Sequence, residues 1–132
     1  MRGYMPLKAL DHVNIRTYRL AEMVVWYCNV LGLEKGPRPN FPFEGAWLYL
    51  GDNPVIHLVA VQRDDLTGSE ADLKLEHFAF SATGLDAYED KLKQSGIKYQ
   101  RVDLPDFGIV QLNIWDPDGN HMHIDFKISK GG

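Results

Sequence analysis

The sequence predicts an α+β fold in which one series, strand–helix–strand–strand–strand, occurs twice. Three observations carry that expectation. Apolar residues alternate with period two through several short stretches and recur at helical spacing through two longer ones. Glycines 64 residues apart, Gly32 and Gly96, close the two helical stretches. Histidines sit at matching places in both halves: 65 residues separate His12 from His77, and 66 separate His57 from His123.

In chain order, residues 1–8 read as a lead-in and Leu10 to Thr17 as a strand, with Val13 and Ile15 on one face and His12, Asn14 and Arg16 on the other. A helix is expected to start near Thr17 or Tyr18, with an apolar stripe of Leu20, Met23, Val24, Tyr27 and Leu31. Leu33 to Lys35 gives a short strand. Pro37, Pro39 and Pro42 make residues 36–45 a loop. Ala46 to Leu50 and Val55 to Val61 are the next strands, joined by a turn at Gly51-Asp52-Asn53-Pro54. The second series begins with a strand from His77 to Ser81. A helix follows with Leu85, Tyr88 and Leu92 as its stripe and Thr83 as its expected N-cap. Strands from Ile97 to Val102 and from Ile109 to Trp115 follow, with a loop from Asp103 to Gly108 between them. Asp116-Pro117-Asp118-Gly119 reads as a tight turn into a last strand, which places His121, His123 and Asp125 on one face and Met122, Ile124 and Phe126 on the other.

The 132 residues suit one compact domain, 1–132, with module one at about 8–62, a polar linker at 63–74 and module two at about 75–128. Net charge is −4 with no basic run, which argues against nucleic acid as a partner. No apolar stretch approaches bilayer length, and the N-terminal residues lack an apolar signal core, so no membrane association is expected. A single cysteine, Cys28, excludes an internal disulfide, suits a reducing cytoplasm and is expected to be structural.

Two imidazoles and a carboxylate on one strand face suggest one wall of a metal-lined cleft. Independent histidines have no reason to respect a repeat, so His12, His57, His77 and His123 are the candidate metal ligands. Imidazole suits zinc, nickel, iron or copper. His121 has no counterpart and is expected to be exposed or outside the ligand set. Asp125 shares a face with His123 and is the candidate catalytic residue, as ligand, base or the acceptor that orients an imidazole. Asn14, Arg16, Trp47, Tyr49, Gln111, Asn113 and Trp115 are candidate substrate-lining residues, with Arg16 suited to a carboxylate.

Asp11-His12-Val13, the stretch Trp26-Tyr27-Cys28-Asn29-Val30-Leu31-Gly32-Leu33, Val55-Ile56-His57-Leu58, Glu76-His77-Phe78-Ala79-Phe80 and Asp116-Pro117-Asp118-Gly119 carry a further reading. Over roughly residues 8–128 the chain resembles the glyoxalase I / bleomycin resistance protein / extradiol dioxygenase superfamily, the vicinal oxygen chelate proteins. The resemblance implies two βαβββ modules forming a cupped mixed sheet around a cleft, a divalent metal (zinc, nickel, iron or manganese), and commonly a homodimer. Carried over, the ligand positions fall on His12, His57, His77 and His123. The family usually has glutamate four residues after the turn glycine, where this chain has His123. A four-histidine set leaves the metal without a carboxylate base, for which Asp125 is the nearest substitute. The implied activity is metal-dependent lyase or isomerase chemistry of the lactoylglutathione lyase type on a small substrate with adjacent oxygens. The alternatives are an extradiol-type dioxygenase and a non-catalytic, drug-binding resistance protein.

Overall fold

The computed structural model describes residues 8–63 and 75–128. The expected lead-in and linker, apart from Lys8 and Arg63, lie outside the described residues. The chain divides into two compact units, Met1–Leu66 and Thr67–Gly132. Each carries one βαβββ series with its own mixed four-stranded sheet, so the expected fold class is observed. Among the described residues no helix is long and apolar enough to cross a membrane.

The first unit holds β1 (Val13–Thr17), α1 (Leu20–Leu31), β2 (Glu34–Gly36), β3 (Gly45–Leu50) and β4 (Asn53–Ala60), in sheet order β1-β4-β3-β2. β1 and β4 pair in parallel; the other neighbours are antiparallel. Helix α1 buries Met23, Tyr27 and Val30. Ala46, Leu48, Ile56 and Leu58 are the buried positions of the sheet. Together these form the unit's apolar core, and water exclusion there is the main stabilising term. The helix stops at Gly32, whose φ of 78° lets its N–H reach the Cys28 carbonyl while Leu33 N–H reaches that of Tyr27.

The second unit repeats the order with β5 (Phe78–Ala82), α2 (Leu85–Gln94), β6 (Gln100–Leu104), β7 (Ile109–Trp115) and β8 (His121–Lys127), arranged β5-β8-β7-β6 with β5 and β8 parallel. Leu92, Val110, Leu112, Ile114, Met122, Ile124 and Phe126 are its buried apolar set.

Several local expectations change. The N-cap of α2 is Gly84 in a left-handed conformation, with no side-chain capping bond, so Thr83 does not cap the helix. β6 begins at Gln100 rather than Ile97, because Ile97 N–H is still closing the helix end on the Leu92 carbonyl. Asp103 and Leu104, expected in a loop, extend β6 by pairing with Val110 and Ile109; a single 3-10 turn, Pro105–Phe107, then leads into β7. The first strand, expected from Leu10, begins at Val13, and the strand expected from His77 begins at Phe78, so His12 and His77 each stand one residue before a strand.

The turn between β7 and β8 is braced from inside. Gly119 N–H closes it on the Asp116 carbonyl at 2.9 Å. The buried Asp116 carboxylate takes the N–H groups of Asp118 and Asn120 and the Asn120 side-chain amide, each at 2.9 Å. This turn sets where His121 and His123 emerge. Replacing Asp116 with Ala strands three donors, so we expect Asp116→Ala to lower unfolding free energy by about 1–3 kcal/mol in urea titration.

Candidate functional site

In the first unit the parallel register sets Asn14 beside His57, and the antiparallel register sets Trp47 on His57's other side. Residues in register share a face, so Asn14, His57 and Trp47 form one row. His12, two residues before Asn14, falls on that same face and reaches His57. Their rings stack with centroids 3.8 Å apart and an interplanar angle of 7°. Trp47 covers the opposite face of His57 at 4.0 Å and 13°. His12 Nδ1–H donates to Asp11 Oδ1 at 2.7 Å. His57 is nearly buried, and its Nε2 has no hydrogen-bond partner among the described residues. Burial pushes the His57 imidazole below the ordinary value of 6.5, and the neighbouring His12 adds to this; a backbone bond at Pro54 and the Asp11 charge oppose both.

The second unit repeats the placement with different chemistry. Here the row is Ala79, His123 and Asn113, and His77 again stands two residues ahead of it. The His77 and His123 rings lie 4.6 Å apart, tilted by 43°. His77 Nδ1–H donates to Glu76 Oε2 at 2.5 Å, as His12 does to Asp11. His123 Nδ1–H donates to Asp125 Oδ1 at 2.6 Å. His121 spans Glu76 Oε2, 3.0 Å from its Nδ1, and Asn113 Oδ1, 2.8 Å from its Nε2. Trp115 stacks on the His121 ring at 4.8 Å. Hydrogen bonds from His77 first, and then His121, hold the Glu76 carboxyl below the usual range.

The structure thus brings His12 against His57 and His77 against His123, as the repeat requires. Asp125 accepts a hydrogen bond from His123. Among the lining candidates, Trp47 stacks on His57, while Asn113 and Trp115 touch His121. Gln111 pairs in register with Asp125, and Asn14 with His57. Arg16 lies exposed beside Val59. Tyr49 is turned to another task, its hydroxyl donating to the Pro37 carbonyl. Sequence reasoning passed over Glu76 and left out His121. Yet Glu76, His77 and His121 offer donor atoms all within 4.8 Å of one another. The available signal was an acid directly before the first histidine of each half, Asp11 and Glu76.

Each unit, taken by itself, presents imidazole donors of the kind that suit a divalent ion. Carboxylates engage Nδ1 of His12, His77 and His123, which leaves Nε2 of each ring outside those bonds, and His57 Nε2 is a buried nitrogen without a partner among the described residues.

A family model described as the glyoxalase/bleomycin resistance protein/dioxygenase superfamily matches residues 9–124. No curated protein sequence matches significantly. Among solved structures, a glyoxylase/bleomycin resistance protein/dioxygenase domain from Frankia sp. EAN1pec superposes with a TM-score of 0.74 at 21% identity, covering 96% of each chain. Lactoylglutathione lyase from Agrobacterium tumefaciens gives 0.70 at 19% identity, over 92% of this chain and 96% of that one. The trypanothione-dependent glyoxalase I of Leishmania major gives 0.63 at 16%, over 89% and 86%. At these identities the likeness is one of fold.

A depressed His57 pKa has a readable consequence in metal-free protein. Above 6.5 the ring is neutral folded or unfolded and costs nothing. As pH falls below 6.5 the unfolded chain takes up the proton first, so stability is lost down to the folded pKa and then levels. NMR titration should place the His57 midpoint below 6.5, and His57→Gln should flatten this part of the stability profile.

Proposed function

The chain belongs to the glyoxalase/bleomycin resistance protein/dioxygenase superfamily, and on that premise we propose that it is a divalent-metal-dependent enzyme acting on a small substrate with adjacent oxygens, a lyase or isomerase of the lactoylglutathione lyase type. One observation carries this reading: each half presents an imidazole pair in which a carboxylate engages Nδ1 of at least one ring, and one half holds a buried imidazole nitrogen with no partner among the described residues. His12 and His57 in the first unit, and His77 and His123 in the second, are the proposed ligands. When bound, the ion supplies Lewis acidity to the substrate's adjacent oxygens.

The chain's own residues do the rest. Asp11, Glu76 and Asp125 fix the tautomer of the rings they hold, so that Nε2 carries the lone pair. Trp47 and Trp115 cover imidazole faces and keep water from them. Asp125 is the proposed base: Oδ1 is committed to His123, while Oδ2 has no partner among the described residues and is available to take a proton from the carbon next to the substrate carbonyl. The same reading expects one glyoxalase-like domain, a homodimer and a cytoplasmic setting.

Glu76, His77 and His121 favour a second reading. Two imidazoles and one carboxylate are the donor types used by non-haem iron oxygenases, which supports a dioxygenase.

Elemental analysis of protein purified without chelator or affinity metal separates these readings. The first predicts bound metal that is lost in His12→Ala and His77→Ala and retained in His121→Ala. Asp125→Asn should keep the metal and lower kcat for lactoylglutathione by about 10²–10⁴. Iron that depends on Glu76 and His121 would favour the second reading; metal-free protein that turns over unchanged would reject both.

A further inference from the structure

The loop between β2 and β3 walls a groove of about 510 Å³ whose lining includes Lys35, Arg38, Phe41, Phe43 and Glu44. Nothing in the proposed metal chemistry uses it. Phe41 and Phe43 stack on one another at 5.0 Å and 7°, yet both rings stay substantially exposed, at 39% and 44%. The Arg38 guanidinium lies over both, 5.1 and 5.4 Å from their centroids. Of its N–H groups, one on Nη2 donates to the Phe43 carbonyl at 3.1 Å; Nε is buried with no partner among the described residues. Phe41 lies 6.5 Å from Trp47, which stacks on His57. A line of flat rings therefore runs from His12 through His57 and Trp47 to the groove.

The groove is held in place before any ligand arrives. Tyr49 ties its hydroxyl to the Pro37 carbonyl and packs where a Cβ at Gly36 would stand. A Cβ at Gly45 would meet the Leu58 carbonyl at 2.4 Å and Arg38 Nη2 at 3.0 Å, so only glycine lets the strand and the guanidinium approach this closely. Two cations, Lys35 and Arg38, face one acid, Glu44.

We propose that this groove is a binding subsite for a planar aromatic carboxylate, whose ring stacks on the Phe41–Phe43 pair and whose carboxylate meets the Arg38 guanidinium from its Nη side, with Lys35 adding charge. Exposed flat rings supply stacking surface, and a guanidinium held by cation–π contact presents its fork without a loss of side-chain freedom on binding. The proposal rests on the preceding functional reading only in treating the ring line as the route from this subsite to the imidazoles; occupancy of the groove itself needs no metal.

The test uses 2-naphthoate as probe, with full-length protein in excess chelator, followed by Trp fluorescence and calorimetry. Saturable binding is expected. Arg38→Gln should weaken it by about tenfold or more, as loss of a charge-assisted bond does. Phe43→Leu, which keeps an apolar filler but removes the ring face, and the probes 2-naphthamide and cyclohexanecarboxylate should each show weaker binding. His12→Ala and His77→Ala should bind 2-naphthoate as the parent does, so loss of the metal site would leave this result standing. Absence of binding, equal affinity for the neutral amide, or unchanged affinity in a folded Arg38→Gln protein would overturn the proposal.

Discussion

Parallel pairing of the first and last strands is the constraint on which each half depends. A chain that makes strand, helix and three strands can bring its last strand beside its first only by crossing back, and the helix fills that crossover. The register that results puts His57 level with Asn14, and His123 level with Ala79. A residue just ahead of the first strand then comes beside the middle of the last one. Both imidazole pairs follow from this placement; neither requires local sequence proximity.

The two halves use the same placement differently. In the first, aromatic surfaces surround a buried ring: His12 on one face of His57 and Trp47 on the other. In the second, the residue matching Trp47 is Asn113, which bonds His121, and the residue matching Val55 is His121 itself. A dry stack thus corresponds to a hydrogen-bonded network. The first environment depresses an imidazole's proton affinity; the second stabilises a carboxylate as an anion. Duplication supplied the geometry, and a few side chains divided the electrostatics.

Much of this was legible in the sequence for a stated reason. Period-two alternation in β7 and β8, helical spacing in α1 and the stop at Gly32 each express local backbone geometry, and each appears where expected. The matched histidines were legible because a repeat correlates distant positions. What escaped depends on non-local pairing. Asp103 and Leu104 join β6 because β7 offers them partners, which no local pattern near Pro105 reveals. Thr83 looked like a cap, but Gly84 turns the chain into the helix in a left-handed conformation that leaves no role for the Thr83 hydroxyl there. His121 had no repeat partner, so nothing in the sequence tied it to Glu76, 45 residues away. Tyr49 shows the converse: its strand position was readable, but the reach of its hydroxyl to Pro37 was not.

The crowding at Gly36 and Gly45 sets which positions are open to change during divergence. Those two residues leave no room for a side chain, since one backs onto the Tyr49 ring and the other onto a strand carbonyl. Phe41 and Phe43 face outward between them with free space on one side. Sequence drift in this region is therefore channelled: the hinges of the loop stay frozen while its two rings can be exchanged without disturbing the sheet. A lineage adapting to new molecules would write its history at residues 41 and 43.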